Sequence, residues 1–244
     1  MKLEKTVLDA TATLSKDLNI TGLSEIELVK SISSPFEVFP NSIGSQVIIK
    51  CSNPAEYKIE IMATVLDLNE FYKKETIGEF LNTLRHEMAH VDDRNNIPFM
   101  YSVCDVCEDS LDFENVSWRF ALKIWSEFKA TYEASSILCL ERINRTITHL
   151  NVACTKLLIQ SQQRNVQLIA DIMCCMAYLL GEITDKEYLA EKVDVKIDIG
   201  LYTPTLEHLS NELSSLLKSY PEWVEKDVLS KLRSIFVEFV NATY

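Results

Sequence analysis

Polar and apolar residues alternate along Tyr57-Lys58-Ile59-Glu60-Ile61-Met62, the period of a strand with one face buried. Just before it, Gln46-Val47-Ile48-Ile49-Lys50 is rich in β-branched residues and predicts a second strand. The turn-rich segments Pro40 to Ser45 and Ser52-Asn53-Pro54 bound these runs, so a small antiparallel sheet is expected. Earlier still, Leu23 to Lys30 suggests a helix, closed by the Ser/Pro-rich break Ser31 to Pro35.

Beyond about Leu66 the period changes to that of helix. Thr76-Ile77-Gly78-Glu79 has capping-box spacing, with Thr76 as N-cap. Ile77, Phe80, Leu81, Leu84, Met88 and Val91 then recur at three- and four-residue steps as one apolar stripe. The helix should end at Asn95-Asn96, before Pro98. A second amphipathic helix is predicted from about Asn115 to Ile137, with Trp118, Ala121, Leu122, Trp125, Phe128 and Tyr132 on its core face. Four or five more helices follow. Asn165 to Leu180 is the most apolar, and Pro204 and Pro221 mark later helix starts. The fold class is α+β: mainly helical, with a small antiparallel sheet packed on the helix that carries residues 77–91.

Composition sharpens this only a little. Five Gly and 6 Pro in 244 residues agree with a helix-rich globular chain. A net charge of −12 argues against a general nucleic-acid-binding surface and favours protein or peptide partners. The apolar run Val166 to Leu180 is interrupted by Gln167 and Asp171 and reads as a core helix, so no membrane association is expected. The N-terminus carries no apolar run of signal-peptide length, and the seven scattered cysteines lack disulfide spacing. Both point to a reducing, cytoplasmic setting.

The chemistry lies in His86-Glu87-Met88-Ala89-His90, in the middle of the first long helix. Histidines four positions apart project from one helix face, close enough for both imidazoles to hold one ion. Glu87 sits about 100° round the helix from His86, an offset that reaches a water on the ion rather than the ion itself. A Zn2+ there would bring the water's pKa toward neutrality, and Glu87 would accept its proton as general base during attack on a carbonyl. Two solvated histidines on a surface helix are the bland account of the same residues.

A catalytic zinc site needs a third protein ligand and an open position. On the second helix Glu127 shares a face with Phe120, Ile124, Thr131 and Ala134, where a carboxylate needs a cation. Glu133 instead lies among Arg119, Ser126 and Lys129, where a solvated i,i+4 pair with Lys129 accounts for it. Asp93, and less easily Asp92, could face the histidines, as ligands or as hydrogen-bond partners of a ligand imidazole. Glu127 is the preferred third ligand; Asp93 and Glu133 are its rivals.

With these residues in place the chain resembles the gluzincin-type metallopeptidases, an HExxH helix followed by a glutamate on a later helix. Within them, the Glu-x-x-Ala of Glu127 to Ala130 is similar to the ImmA/IrrE-type peptidases. The resemblance covers about residues 55 to 135. It implies His86, His90 and Glu127 on zinc, Glu87 as base, and cleavage of a protein such as a transcriptional repressor. The spacer from His90 to Glu127 is long, and the apolar, Pro-terminated stretch usual after the glutamate is not evident in Thr131 to Leu140. Residues 1–136 would form the zincin-like domain, and 137–244 a helical region that extends or covers it.

The expected function is therefore peptide-bond hydrolysis, with substrate extended along the 57–62 strand. The alternatives are a catalytically inactive zincin-scaffold interaction module and a zinc hydrolase of small molecules. Cys104-Asp105-Val106-Cys107 is a lone CxxC with no second pair, and His149 and His208 are isolated. Tyr57, Tyr101 and Tyr132 are conceivable oxyanion donors.

Overall fold

A computed structural model describes residues 10–29, 32, 45–52, 54–62, 74–100, 103, 112–135, 140–159, 166–184 and 199–243. The CxxC at Cys104 to Cys107, Tyr101, and most of the two breaks expected at 31–35 and 40–45 lie outside these residues. The chain divides into two compact units, Met1–Asn96 and Ile97–Tyr244. The architecture is α+β, mainly helical with one three-stranded sheet.

In the first unit β1 (Leu23–Val29), β2 (Ser45–Ser52) and β3 (Ala55–Met62) precede the helix α1 (Lys74–Asn96). The strand order is β1-β3-β2. β2 and β3 form the antiparallel pair that the alternation predicts, but β1 joins β3 in parallel, so the sheet is mixed. The segment expected to be a helix is thus a strand. Its pairing shifts between Leu23 and Glu25, so that β1 carries one extra residue there. That bulge puts Leu23 and Ile26 on one face at a three-residue step, which imitates helical spacing.

Period two decides which face of the sheet is buried. Tyr57, Ile59 and Ile61 are buried, whereas Lys58 pairs on the other face with Glu27 and Glu60. Beside it Lys50 pairs with Glu25 at 2.9 Å and Gln46 donates to Glu60 at 2.9 Å. Such half-exposed pairs contribute little each, but a one-residue slip would bury all of them, so they help hold register. On the inner face Ile59 and Ile61 pack with Phe80, Leu84 and Met88, the stripe predicted on α1. Leu18, Ile20, Ile26, Leu28 and Val47 close the cluster. Burying each large side chain contributes about 1.5–3 kcal/mol, which makes this contact the main support of the unit. α1 begins at Lys74, so Thr76 lies within the first turn and is not the N-cap; the other end, Asn96, is where the sequence places it.

A polar clasp ties the start of the sheet to the end of α1. Asp92 accepts from the Asn19 amide at 2.7 Å and from Asn96 Nδ2 at 2.8 Å. Asn95 donates to the carbonyls of Asn19 and Thr21 and accepts from the Tyr57 hydroxyl at 3.2 Å. Gly22 makes the adjoining turn at φ +85°, with Ala55 O only 2.3 Å from where a Cβ would sit.

In the second unit α2 (Phe113–Ala134), α3 (Leu140–Ile159), α4 (Val166–Ile183), α5 (Thr203–Ser219) and α6 (Ser230–Thr243) follow one another. Asp112 caps α2 by accepting from the Glu114 amide. Trp118, Ala121, Leu122, Trp125 and Phe128 are buried as expected, with Tyr132 half-buried against Phe128. α4 is the core helix that its composition predicts; by length and apolarity it could cross a membrane, but 72% of it is buried inside the protein. Pro204 stands at the start of α5 as expected. Pro221 instead lies in the turn after α5, and the next helical residues begin at Lys226.

α2 and α4 meet at Gly181. A Cβ there would lie 2.6 Å from Phe128 O and 2.8 Å from Thr131 Cβ, whereas one on Gly78 would meet nothing within 4 Å. Gly181→Ala is therefore expected to destabilise by about 1–3 kcal/mol through overpacking against backbone. Gly78→Ala, inside α1, should stabilise by about 0.5–1 kcal/mol. Urea unfolding followed by circular dichroism compares the two; equal effects would contradict the close approach at Gly181.

Candidate metal centre

The rotation of α1 about its axis is set by Phe80, Leu84 and Met88 seated on the sheet. His86 and His90 each lie two residues from Met88, so both point about 160° away from it. Their Nε2 atoms converge to 3.1 Å, with the rings edge to face at 4.7 Å and 89°. Two ligands of a tetrahedral zinc, each at about 2.0–2.1 Å, stand about 3.3 Å apart, close to the spacing seen. His86 is buried and His90 half-buried, so neither is the solvated surface histidine of the bland account.

His86, His90 and Glu127 form a group that could hold a metal ion, their ligand atoms all within 4.8 Å of one another. Among the described residues no other set of three His, Cys, Asp or Glu side chains comes so close. Two imidazole nitrogens and a carboxylate suit a borderline divalent cation. Around Glu127, Ile124, Thr131 and Ala134 are buried, the semi-apolar face that the helical wheel predicts. Burial, reinforced by the charge of Glu127, pushes the neighbouring Cys174 thiol well up. A carboxylate in such surroundings is favoured by a cation.

The rival acids are committed elsewhere or absent from the group. Glu133 accepts from Lys129 Nζ at 2.8 Å, the pair expected from their spacing. It is not the solvated pair predicted, however, because Lys129 is buried, its ammonium 4.7 Å from the centre of the Tyr220 ring. Asp92 belongs to the clasp, and Asp93 is fully buried but outside the three-donor group. Tyr57 is buried with its hydroxyl on Asn95, which removes it as an oxyanion donor. His149 and His208, on α3 and α5, are likewise not in the group.

Glu87 lies on the side of α1 between the sheet-facing stripe and the histidines and is 4% exposed. Its Oε1 accepts from the Ser45 hydroxyl at 2.6 Å. Ser45 escapes sequence reasoning: it closes a turn-rich segment, and no spacing rule joins it to a residue 42 positions on. Its place comes from β2, where it pairs with Ile61. The substrate-strand expectation also changes. β3 is flanked by β1 and β2, so its edges are occupied, and among the described strands β2 is an outer one whose first residue reaches Glu87.

No protein-family model, curated protein or solved structure matches the chain.

His86→Ala and Glu127→Ala are each expected to lose the bound divalent metal measured by elemental analysis of purified protein. Asp92→Ala should keep it while losing about 1–3 kcal/mol of stability, because the Asn19 amide and Asn96 lose their acceptor. Full metal occupancy in Glu127→Ala would remove that residue from the donor set.

Proposed function

We propose that this protein is a zinc-dependent peptidase of the HExxH type, similar to the gluzincins and in particular to the ImmA/IrrE-type enzymes. The observation that carries the reading is the 3.1 Å convergence of the two Nε2 atoms within one group that includes Glu127. Zinc, when bound, would supply Lewis acidity, lowering the pKa of a water and polarising a substrate carbonyl. The remaining work belongs to the chain. His86, His90 and Glu127 hold the ion, and three protein ligands leave room for substrate. Glu87 takes the proton of the attacking water and passes it to the amide nitrogen as the C–N bond breaks. Its buried carboxylate, fixed by Ser45, is oriented for one such exchange rather than averaged over rotamers.

The substrate is a protein or peptide in extended form. It adds to the outer edge of β2, since β3 offers none. With a chain charge of −12, a segment bearing Lys or Arg is favoured over an acidic one.

Glu87→Gln separates this reading from a scaffold that binds metal but does no chemistry. It is expected to retain zinc and fold, and to lose at least about 100-fold in hydrolysis of an internally quenched peptide pool. Equal rates for Glu87→Gln and the unaltered protein would leave only the binding module.

A further inference from the structure

Glu87 is a long side chain, and a general base works only when its carboxylate meets the water at one distance and angle. Something has to fix its torsions. The Ser45 hydroxyl, 2.6 Å from Oε1, is at the short distance of a hydrogen bond to a charged acceptor. Ser45 is itself held: its backbone pairs with Ile61, and Ile61 packs in the same cluster as Leu84 and Met88 of α1. Donor and acceptor are thus mounted on two elements that one apolar core locks together. A loop residue could drift; a strand rung cannot without breaking the ladder.

We propose that Ser45 is the positioning residue for the general base: its hydroxyl engages Oε1 of Glu87 and holds the carboxylate in the orientation from which it takes the proton of the attacking water. The assignment rests on the peptidase reading for its purpose, but the contact itself is independent of metal and substrate. Because Ser45 opens the strand whose outer edge takes the substrate, it also couples the seating of the peptide to the aim of the base. Threonine carries the same hydroxyl and suits a strand. Alanine keeps the strand and removes the donor.

Two measurements test this together. In metal-free protein labelled with 13C at glutamate side-chain carboxyls, the Glu87 resonance, assigned by its loss in Glu87→Gln, should move in Ser45→Ala and return in Ser45→Thr. In zinc-loaded protein acting on the internally quenched peptide pool, Ser45→Ala should lower kcat about 10- to 100-fold with KM and zinc content unchanged. Ser45→Thr should recover most of that loss. An unmoved Glu87 resonance in Ser45→Ala overturns the contact. A kcat equal to that of the unaltered protein, beside an inactive Glu87→Gln, overturns the positioning role while the peptidase stands. If Glu87→Gln cleaves as well as the unaltered protein, the peptidase reading fails and takes the role of Ser45 with it, even where the resonance shifts as expected.

Discussion

The packing of Phe80, Leu84 and Met88 against Ile59 and Ile61 is the contact on which the rest of the candidate site depends. A helix can rotate about its own axis, and a turn of about 100° would exchange the His86 face for that of its neighbour. Three large side chains of α1 seated on Ile59 and Ile61 of the sheet remove that freedom. The histidines are then directed away from the sheet, and Glu87 is left beside it, where β2 can reach its carboxylate. One apolar contact therefore sets the direction of three candidate site residues.

Two carboxylates on α2 show how neighbours separate a core ion pair from a candidate metal ligand. Glu133 and Glu127 stand six positions apart on the same helix. Lys129, buried beneath Tyr220, takes Glu133. Removing an ammonium from water is costly unless a carboxylate meets it, so this pair is a feature of the core. Glu127 faces a different set of side chains, among them the thiol of Cys174, and joins His86 and His90. The same residue type thus meets two different settings, an ion pair with Lys129 and a group that could hold a metal ion.

The polar clasp has a similar lesson. Asp92 and Asn95 look, in a string of polar residues after His90, like the frayed end of a helix. They are instead the groups that satisfy the backbone of the turn before β1 and the hydroxyl of Tyr57. Polar side chains near a candidate site are easily mistaken for chemistry. Here their hydrogen bonds assign them to the fold, which narrows the acids that remain for a metal.

Local sequence determined whatever depends on local period. The i,i+4 spacing of His86 and His90, the stripe on α1, the alternation of β3 and the apolar run of α4 are all written within a few helical turns, because backbone geometry repeats over that range. That Glu127 and Glu133 face different sides of α2, with Lys129 taking the latter, was also legible, since all three lie on one helix. Tertiary structure decided what needs distant segments to meet. Whether Leu23–Val29 is helix or strand turned on its pairing with β3 and on a bulge that disguised its period. That the Tyr57 hydroxyl meets Asn95, that Lys129 is buried, and that Ser45 meets Glu87 followed from register and packing, which no short window of sequence encodes.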